Sequence, residues 1–180
     1  MDYEALLDEA VCSGLIVKEK PLCSSDGLIC GNRIAIRQDI ETSAEKTCVL
    51  AEELGHYYTS VGNITDMTDF KNRKQELQAR GHGFNKLIGL IGIVNVFRAG
   101  CHSWYEAAEY LNVTEEYLKE HLETDITKML HELGIPAHIK GYQYLRDAIT
   151  MVVKDREMME AVTKILYPEI AKKNLTSSSR

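Results

Sequence analysis

The feature that most constrains the fold is the stretch from Thr47 to Ser60, in which apolar and polar residues recur with the period of an α-helix. Spacings of one, four and three residues separate its apolar members, Val49, Leu50, Leu54 and Tyr57. In a helix these residues gather on one side, and the ionisable residues Glu52, Glu53 and His56 lie along a polar edge. The stretch therefore predicts an amphipathic helix with one buried face and an edge of carboxylates and an imidazole.

This polar edge has the spacing of a metal-binding motif. In an H-E-x-x-H helix, two histidines one turn apart bind zinc, and the glutamate after the first histidine polarises the attacking water. The corresponding residues here are Glu52, Glu53 and His56, so the base and the second ligand are present and the first ligand is a carboxylate. A carboxylate makes the ligand set harder and more anionic, which favours Mn, Mg or Fe(II) relative to zinc. It also leaves a metal-bound water less acidic and a weaker nucleophile at neutral pH.

Other elements are predicted on both sides of this helix, which is expected to span residues 43 to 60. Upstream, strands are predicted at Gly27 to Cys30 and at Ile34 to Ile36, joined by a turn at Gly31-Asn32. The segment from Glu41 to Glu45 has the pattern of a helix cap. Downstream, a second helix is predicted from about Met67 to Arg80, which would bring Glu76 back toward His56.

This order of elements resembles the ImmA/IrrE family of metallopeptidases, found in phages, mobile elements and stress regulators, and the resemblance covers roughly residues 1 to 120. The third metal ligand of that family is a glutamate in an E-x-x-A helix, which Glu76-Leu-Gln-Ala79 matches. The resemblance implies that Glu53 is the general base and that Glu52, His56 and Glu76 hold a divalent metal, zinc or Mn/Fe. It also implies an endopeptidase that cleaves a bacterial or phage regulator.

Other interpretations of these residues stay open. Glu76 also fits an ordinary solvated acid, because its helix is rich in Lys, Arg, Glu and Gln. His82, between two glycines, is either a replacement for the missing imidazole or a surface loop residue. Without a metal, the clustered carboxylates would repel one another, and one of them would have a raised pKa. The site is alternatively a decayed one that survives as part of a catalytically inactive protein-binding adaptor.

The predicted fold class is α+β, mainly helical, with a small antiparallel sheet beside a zincin-like metal helix and an all-α C-terminal segment. Asp2 to Cys12 is amphipathic and predicts a helix that Ser13-Gly14 stops. Leu15 to Val17 is expected to add a third strand. The apolar residues between Lys86 and Arg98 predict a largely buried helix.

Residues 103 to 118 predict two short helices that are split at Asn112 to Thr114, as in a helix-turn-helix unit. A DNA-reading helix needs Lys, Arg, Asn or Gln aimed at the bases. The second helix here carries mostly acids, namely Glu115, Glu116, Glu120 and Glu123. The unit is therefore predicted to be structural or protein-binding.

The character of the sequence changes after Glu123, so two domains are predicted, at residues 1–122 and 123–180. The segment from Gly134 to Tyr142 reads Gly-Ile-Pro-Ala-His-Ile-Lys-Gly-Tyr. With it, residues 125 to about 173 resemble the C-terminal effector domain of the stage-zero sporulation response regulator. Periodicity predicts three or four helices there. By the resemblance, Thr163 to Lys173 is the first helix of a helix-turn-helix.

DNA contacts from this segment are expected to be weak. By the resemblance the DNA-reading helix begins just beyond Arg180, so specific DNA binding is not expected. Three basic residues near the end, Lys172, Lys173 and Arg180, are predicted to give only weak, salt-sensitive contacts to phosphates.

The distribution of charge and apolar residues excludes some partners. Residues 1–122 carry 12 Lys and Arg against 19 Asp and Glu, and an acidic region does not attract nucleic acid. Residues 123–180 carry nine Lys and Arg against eight Asp and Glu. No run of 18 apolar residues occurs, so no membrane partner is expected. The first residues are acidic where a signal peptide is basic, so a cytoplasmic location is expected.

Three functions follow from these patterns. The favoured one is a metal-dependent, endopeptidase-like regulatory protein that acts on a bacterial or phage transcriptional regulator and carries a truncated sporulation-regulator segment. One alternative is a DNA-binding transcription factor that regulates sporulation, and another is the inactive adaptor. The expected partner is a protein substrate or a transcriptional regulator.

Overall fold

The computed structural model describes residues 1–62, 64, 66, 68–132, 134–155, 158 and 161–175. The helices are α1 (Tyr3–Cys12), α2 (Ser43–Thr59), α3 (Phe70–Leu87), α4 (Gly89–Ala99), α5 (Trp104–Leu111), α6 (Glu115–Glu132), α7 (Lys140–Lys154) and α8 (Tyr167–Lys173), the last preceded by a π-helical turn, Val162–Leu166. The strands are β1 (Ile16–Lys20), β2 (Gly27–Cys30) and β3 (Arg33–Arg37). The predicted α+β class with mainly helical content is confirmed.

The first two helices begin and end where local chemistry satisfies the backbone. The Asp2 carboxylate accepts a hydrogen bond from the Ala5 N–H at 3.0 Å and caps α1, which ends before Gly14 at φ +75°. The Thr42 hydroxyl accepts from the Glu45 N–H at 3.2 Å and caps α2. The sequence predicted both helices to within one residue at each end.

The sheet is mixed, whereas an antiparallel sheet was predicted. Its strand order is β1-β3-β2, with β2 antiparallel and β1 parallel to β3. The hairpin at Gly31-Asn32 forms as predicted, with Cys30 paired to Arg33. The parallel pair arises because the chain crosses from β1 to the far edge of the sheet, where β2 lies, and β3 then returns between the other two strands.

Helix α3 continues to Leu87, seven residues beyond its predicted end. The glycines around His82 are typical of a loop in the sequence, but both lie within the helix, and Gly83 allows close packing on α2. A Cβ atom on Gly83 would lie 2.8 Å from the Ala51 carbonyl oxygen, and one on Gly55 of α2 would lie 2.2 Å from that of Ala79. These glycines bring the two helices into backbone contact, which positions the candidate site.

Helix α4 corrects the prediction of a largely buried helix between Lys86 and Arg98. Val96 is 6% exposed, but Leu90 is 59% and Ile91 76% exposed. The apolar side chains of α4 point in all directions around its axis, and α3 and α5 cover only part of the helix. High apolar content therefore did not translate into burial.

Helices α5 and α6 form the predicted helix pair. Asn112 adopts a left-handed conformation at φ 55°, and the Thr114 hydroxyl accepts from the Tyr117 N–H at 3.1 Å at the start of α6. Helix α6 then runs without interruption past residue 122, the predicted domain boundary. Its buried residues on both sides of that point belong to one core cluster: Leu118, Leu122, Ile126 and Leu130.

In residues 134–155, 158 and 161–175, the part of the C-terminal segment that the structure describes, the chain forms α7, the π-helical turn and α8. Pro168 lies in the first turn of α8, where its missing N–H costs no helical hydrogen bond. Within the residues described, none of the helices combines the length and the apolar character needed to cross a membrane.

Candidate functional site

The α2–α3 contact brings two of the predicted site residues together. His56 lies on α2 and Glu76 on α3, and His56 Nε2 is 3.5 Å from Glu76 Oε2. The other ring nitrogen, His56 Nδ1, hydrogen-bonds with Ser60 Oγ at 3.2 Å, which fixes the ring plane. Helix α3 therefore brings Glu76 back to the polar edge of α2, as predicted.

Glu53, the predicted general base, lies under strand β2. A Cβ atom on Gly27 would lie 2.5 Å from Glu53 Oε1, so the strand approaches this carboxyl closely only because residue 27 is glycine. Burial raises the pKa of Glu53 to about 7, and the charges of Glu52 and Glu76 add to the effect. A carboxyl with this pKa exchanges its proton near neutral pH, as a general base or acid must.

Glu52, in the first ligand position, pairs with a residue that sequence reasoning missed. Its Oε1 lies 3.1 Å from Nε2 of His121 on α6. His121 is 3% exposed, and its ring centroid lies 4.3 Å from that of Tyr117 and 5.9 Å from that of Phe84. A signal was present, because His121 follows the buried Leu118 by three residues on one helix face. The sequence could not name its partner 69 residues away.

Arg80 is the second residue that was missed as part of the site. Its Nε donates to Glu76 Oε1 at 2.8 Å, and its Nη1 donates to Glu120 on α6. Burial alone would lower the pKa of Arg80, but the bond to Glu76 and the charges of Glu52 and Glu120 raise it. The guanidinium is therefore firmly charged and links α3 to α6.

The donor set does not fit a metal ion in this arrangement. Among the residues that the structure describes, no three His, Cys, Asp or Glu side chains are placed to hold one ion. Both carboxylates of the expected set are instead engaged by side chains of the protein, Glu52 by the His121 imidazole and Glu76 by the Arg80 guanidinium. Metal binding by Glu52, His56 and Glu76 stays a prediction of the sequence.

His82, the alternative imidazole, faces a different set of groups. It lies within α3, and its ring centroid is 5.3 Å from that of Tyr58. Burial lowers the pKa of His82, and the nearby charge of Lys86 lowers it further. The imidazole beside Glu52 is that of His121.

The predicted phosphate contacts near the end of the chain divide into different environments. Lys172 is exposed on α8. Lys173 Nζ lies 2.8 Å from Oδ1 of Asp147, whose side chain is 2% exposed. Asn174 Nδ2 donates to the other Asp147 oxygen at 2.9 Å. Lys173 therefore anchors α8 to α7, and Arg180 lies outside the described residues.

Comparison with known families finds that the C-terminal part of the chain is similar to the C-terminal domain of a sporulation initiation factor. Residues 126–180 match the family described as Sporulation initiation factor Spo0A C terminal. The match covers less than half of the chain and supports the predicted resemblance of this segment. No solved structure matches the protein. The resemblance of residues 1 to 120 to the ImmA/IrrE family stays a prediction from sequence.

Proposed function

We propose that this protein is a transcription regulator of the sporulation type that binds DNA through its C-terminal segment. The observation that carries the proposal is the match of residues 126–180 to the sporulation initiation factor domain, which binds DNA in that family. This match favours DNA binding over the sequence prediction that specific binding is absent. The favoured function therefore moves from the metallopeptidase to the transcription factor.

The charge distribution supports binding by this segment alone. Residues 1–122 have a strong excess of acids, whereas residues 123–180 are close to neutral. The phosphates of a DNA duplex are therefore repelled by the acidic N-terminal part and are repelled less at α7 and α8. The exposed Lys172 offers a phosphate contact, because its ammonium group is not drawn into the Asp147 pair that engages Lys173.

Fluorescence anisotropy of the full chain with labelled duplex DNA, combined with selection from a random duplex pool, tests the proposal. We expect binding that weakens with salt and a selected pool that converges on one sequence. Lys172→Ala should weaken binding to every duplex and reduce the slope of log K against log salt by about one.

The matched control is Lys18→Ala, which removes the same charge from an exposed position on β1. We expect its binding to equal that of the unaltered chain. Absence of DNA binding at low salt, or equal losses in both variants, would contradict the proposal.

A metallopeptidase activity of the N-terminal part stays a prediction of the resemblance. Its support is the pKa of about 7 at Glu53 and the closeness of His56 to Glu76. It also requires a metal, and the carboxylates that would hold one are paired within the chain. The contacts therefore favour the last of the three functions for this part, the catalytically inactive protein-binding adaptor.

A further inference from the structure

A guanidinium and an imidazole of the chain lie at the carboxylates to which the family resemblance assigns a metal. Arg80 contacts Glu76 through Nε and Glu120 through Nη1. His121 contacts Glu52 through Nε2. We call these five residues the α2–α3–α6 network, because Glu52 comes from α2, Glu76 and Arg80 from α3, and Glu120 and His121 from α6.

The charges of this network account for its stability without an ion. Three carboxylates brought together repel one another unless positive charge lies between them. A guanidinium has five donors in a planar fork, and here two of its nitrogens reach carboxylates on different helices. Arg80 thereby does for Glu76 and Glu120 what a bound cation would do.

Glu52, the carboxylate in the first ligand position, is also satisfied by a side chain of the protein and not by an ion. A second histidine at position 52 would face the imidazole of His121 without a charge to attract it. A carboxylate there forms a charge-assisted bond when His121 is protonated and accepts its N–H when it is neutral. The buried His121 ring packs against both Phe84 and Tyr117, so its position is set by packing rather than by a ligand. Glu52 and His121 therefore form a matched pair.

We propose that the α2–α3–α6 network replaces the metal centre, with the Arg80 guanidinium as its internal cation and the His121 imidazole as the hydrogen-bond partner of Glu52, and that it holds α6 against α2 and α3 without any bound ion. Helix α6 runs from Glu115 to Glu132, so it enters the segment that matches the sporulation family at residue 126. The network therefore fixes the helix that joins the N-terminal part to the segment with the proposed DNA-binding function. This inference does not depend on DNA binding.

Metal content and thermal unfolding of the full chain test the proposal. After incubation with Zn²⁺, Mn²⁺ or Fe²⁺ and desalting, elemental analysis should find no stoichiometric metal in the unaltered chain. Its Tm should be the same in a chelator and in excess Mn²⁺. Arg80→Ala leaves Glu76 and Glu120 without their cation, so its Tm should fall, and added Mn²⁺ should raise it again.

Arg98→Ala is the matched control, because it removes an exposed arginine from α4, outside the network. Its Tm should not depend on Mn²⁺. An unchanged Tm in Arg80→Ala would overturn the proposal. So would stoichiometric metal in the unaltered chain that disappears in His56→Ala, and this measurement decides the question if Arg80→Ala does not fold.

Discussion

At the scale of single residues, Asp147 offers the sharpest test of electrostatics. Burial alone would raise its pKa, but the bonds from Lys173 and Asn174 lower it below its ordinary 3.8. A lowered folded-state pKa contributes stability that is present above 3.8 and is lost as the pH falls through the lowered value. Asp147→Asn should therefore lower the free energy of unfolding by about 1–3 kcal/mol at pH 7. The difference between the variant and the unaltered chain should become smaller in acid. Urea unfolding of the unaltered chain and of Asp147→Asn, from pH 7 down into acid, measures this difference.

The control for this prediction is Asp8→Asn, which neutralises an exposed aspartate on α1. We expect its free energy of unfolding to follow that of the unaltered chain at every pH. If Asp147→Asn showed the same small difference at pH 7 and at low pH, the ionic bonds to Asp147 would not stabilise the protein.

Residue spacing predicted part of the candidate site and missed the rest for a physical reason. The helical period placed Glu52, Glu53 and His56 on one edge, and the predicted second helix brings Glu76 to 3.5 Å from His56 in the structure. These positions follow from local geometry, because α2 and α3 are neighbours in the chain. Arg80 and His121 acquire their roles only through the packing of α6, which spacing along the sequence does not encode.

At the scale of elements, the contact between α2 and α3 depends on glycine. Gly55→Ala would place a Cβ atom 2.2 Å from the Ala79 carbonyl oxygen, so the helices must separate. We expect a loss of about 1–3 kcal/mol or more in the free energy of unfolding, because a backbone atom cannot rotate away from the new methyl group. Urea denaturation with circular dichroism detects the loss.

Gly141→Ala provides the matched control on α7, because nothing lies within 4 Å of a Cβ atom there. Alanine favours helix over glycine by up to about 1 kcal/mol, so this variant should be unchanged or more stable. If both variants behaved alike, the short approach at Gly55 would not restrict the α2–α3 contact.

The elements also show where sequence patterns mislead. The strands of the hairpin were predicted because turn chemistry is local, but the parallel pairing of β1 depends on the path of the loop from Pro21 to Asp26. Gly81 and Gly83 are typical of a loop in the sequence, although both lie within α3 and Gly83 allows its close packing on α2. Leu90 and Ile91 read as core residues although they are exposed on α4. In each case a tertiary contact, or its absence, outweighed the local preference.

At the scale of the whole molecule, α6 connects the two predicted domains through one core. Leu118 and Leu122 on one side of the predicted boundary, and Ile126 and Leu130 on the other, belong to the same buried cluster. A continuous core of this kind favours a single cooperative unfolding transition. We expect Trp104 fluorescence, far-UV circular dichroism and amide hydrogen exchange in α7 to report the same midpoint.

Replacing a buried side chain by alanine on either side of the predicted boundary tests this coupling. Leu118 is 0% and Ile126 2% exposed, so Leu118→Ala and Ile126→Ala should each cost about 2–5 kcal/mol. Because the core is shared, each variant should lower the midpoint seen by all three probes. If Ile126→Ala shifted only the exchange in α7 and left the Trp104 signal unchanged, the chain would contain two independently folding units. The C-terminal segment would then not need the N-terminal part for the proposed DNA binding, whereas a shared transition makes the α2–α3–α6 network part of the scaffold on which the proposed DNA binding depends.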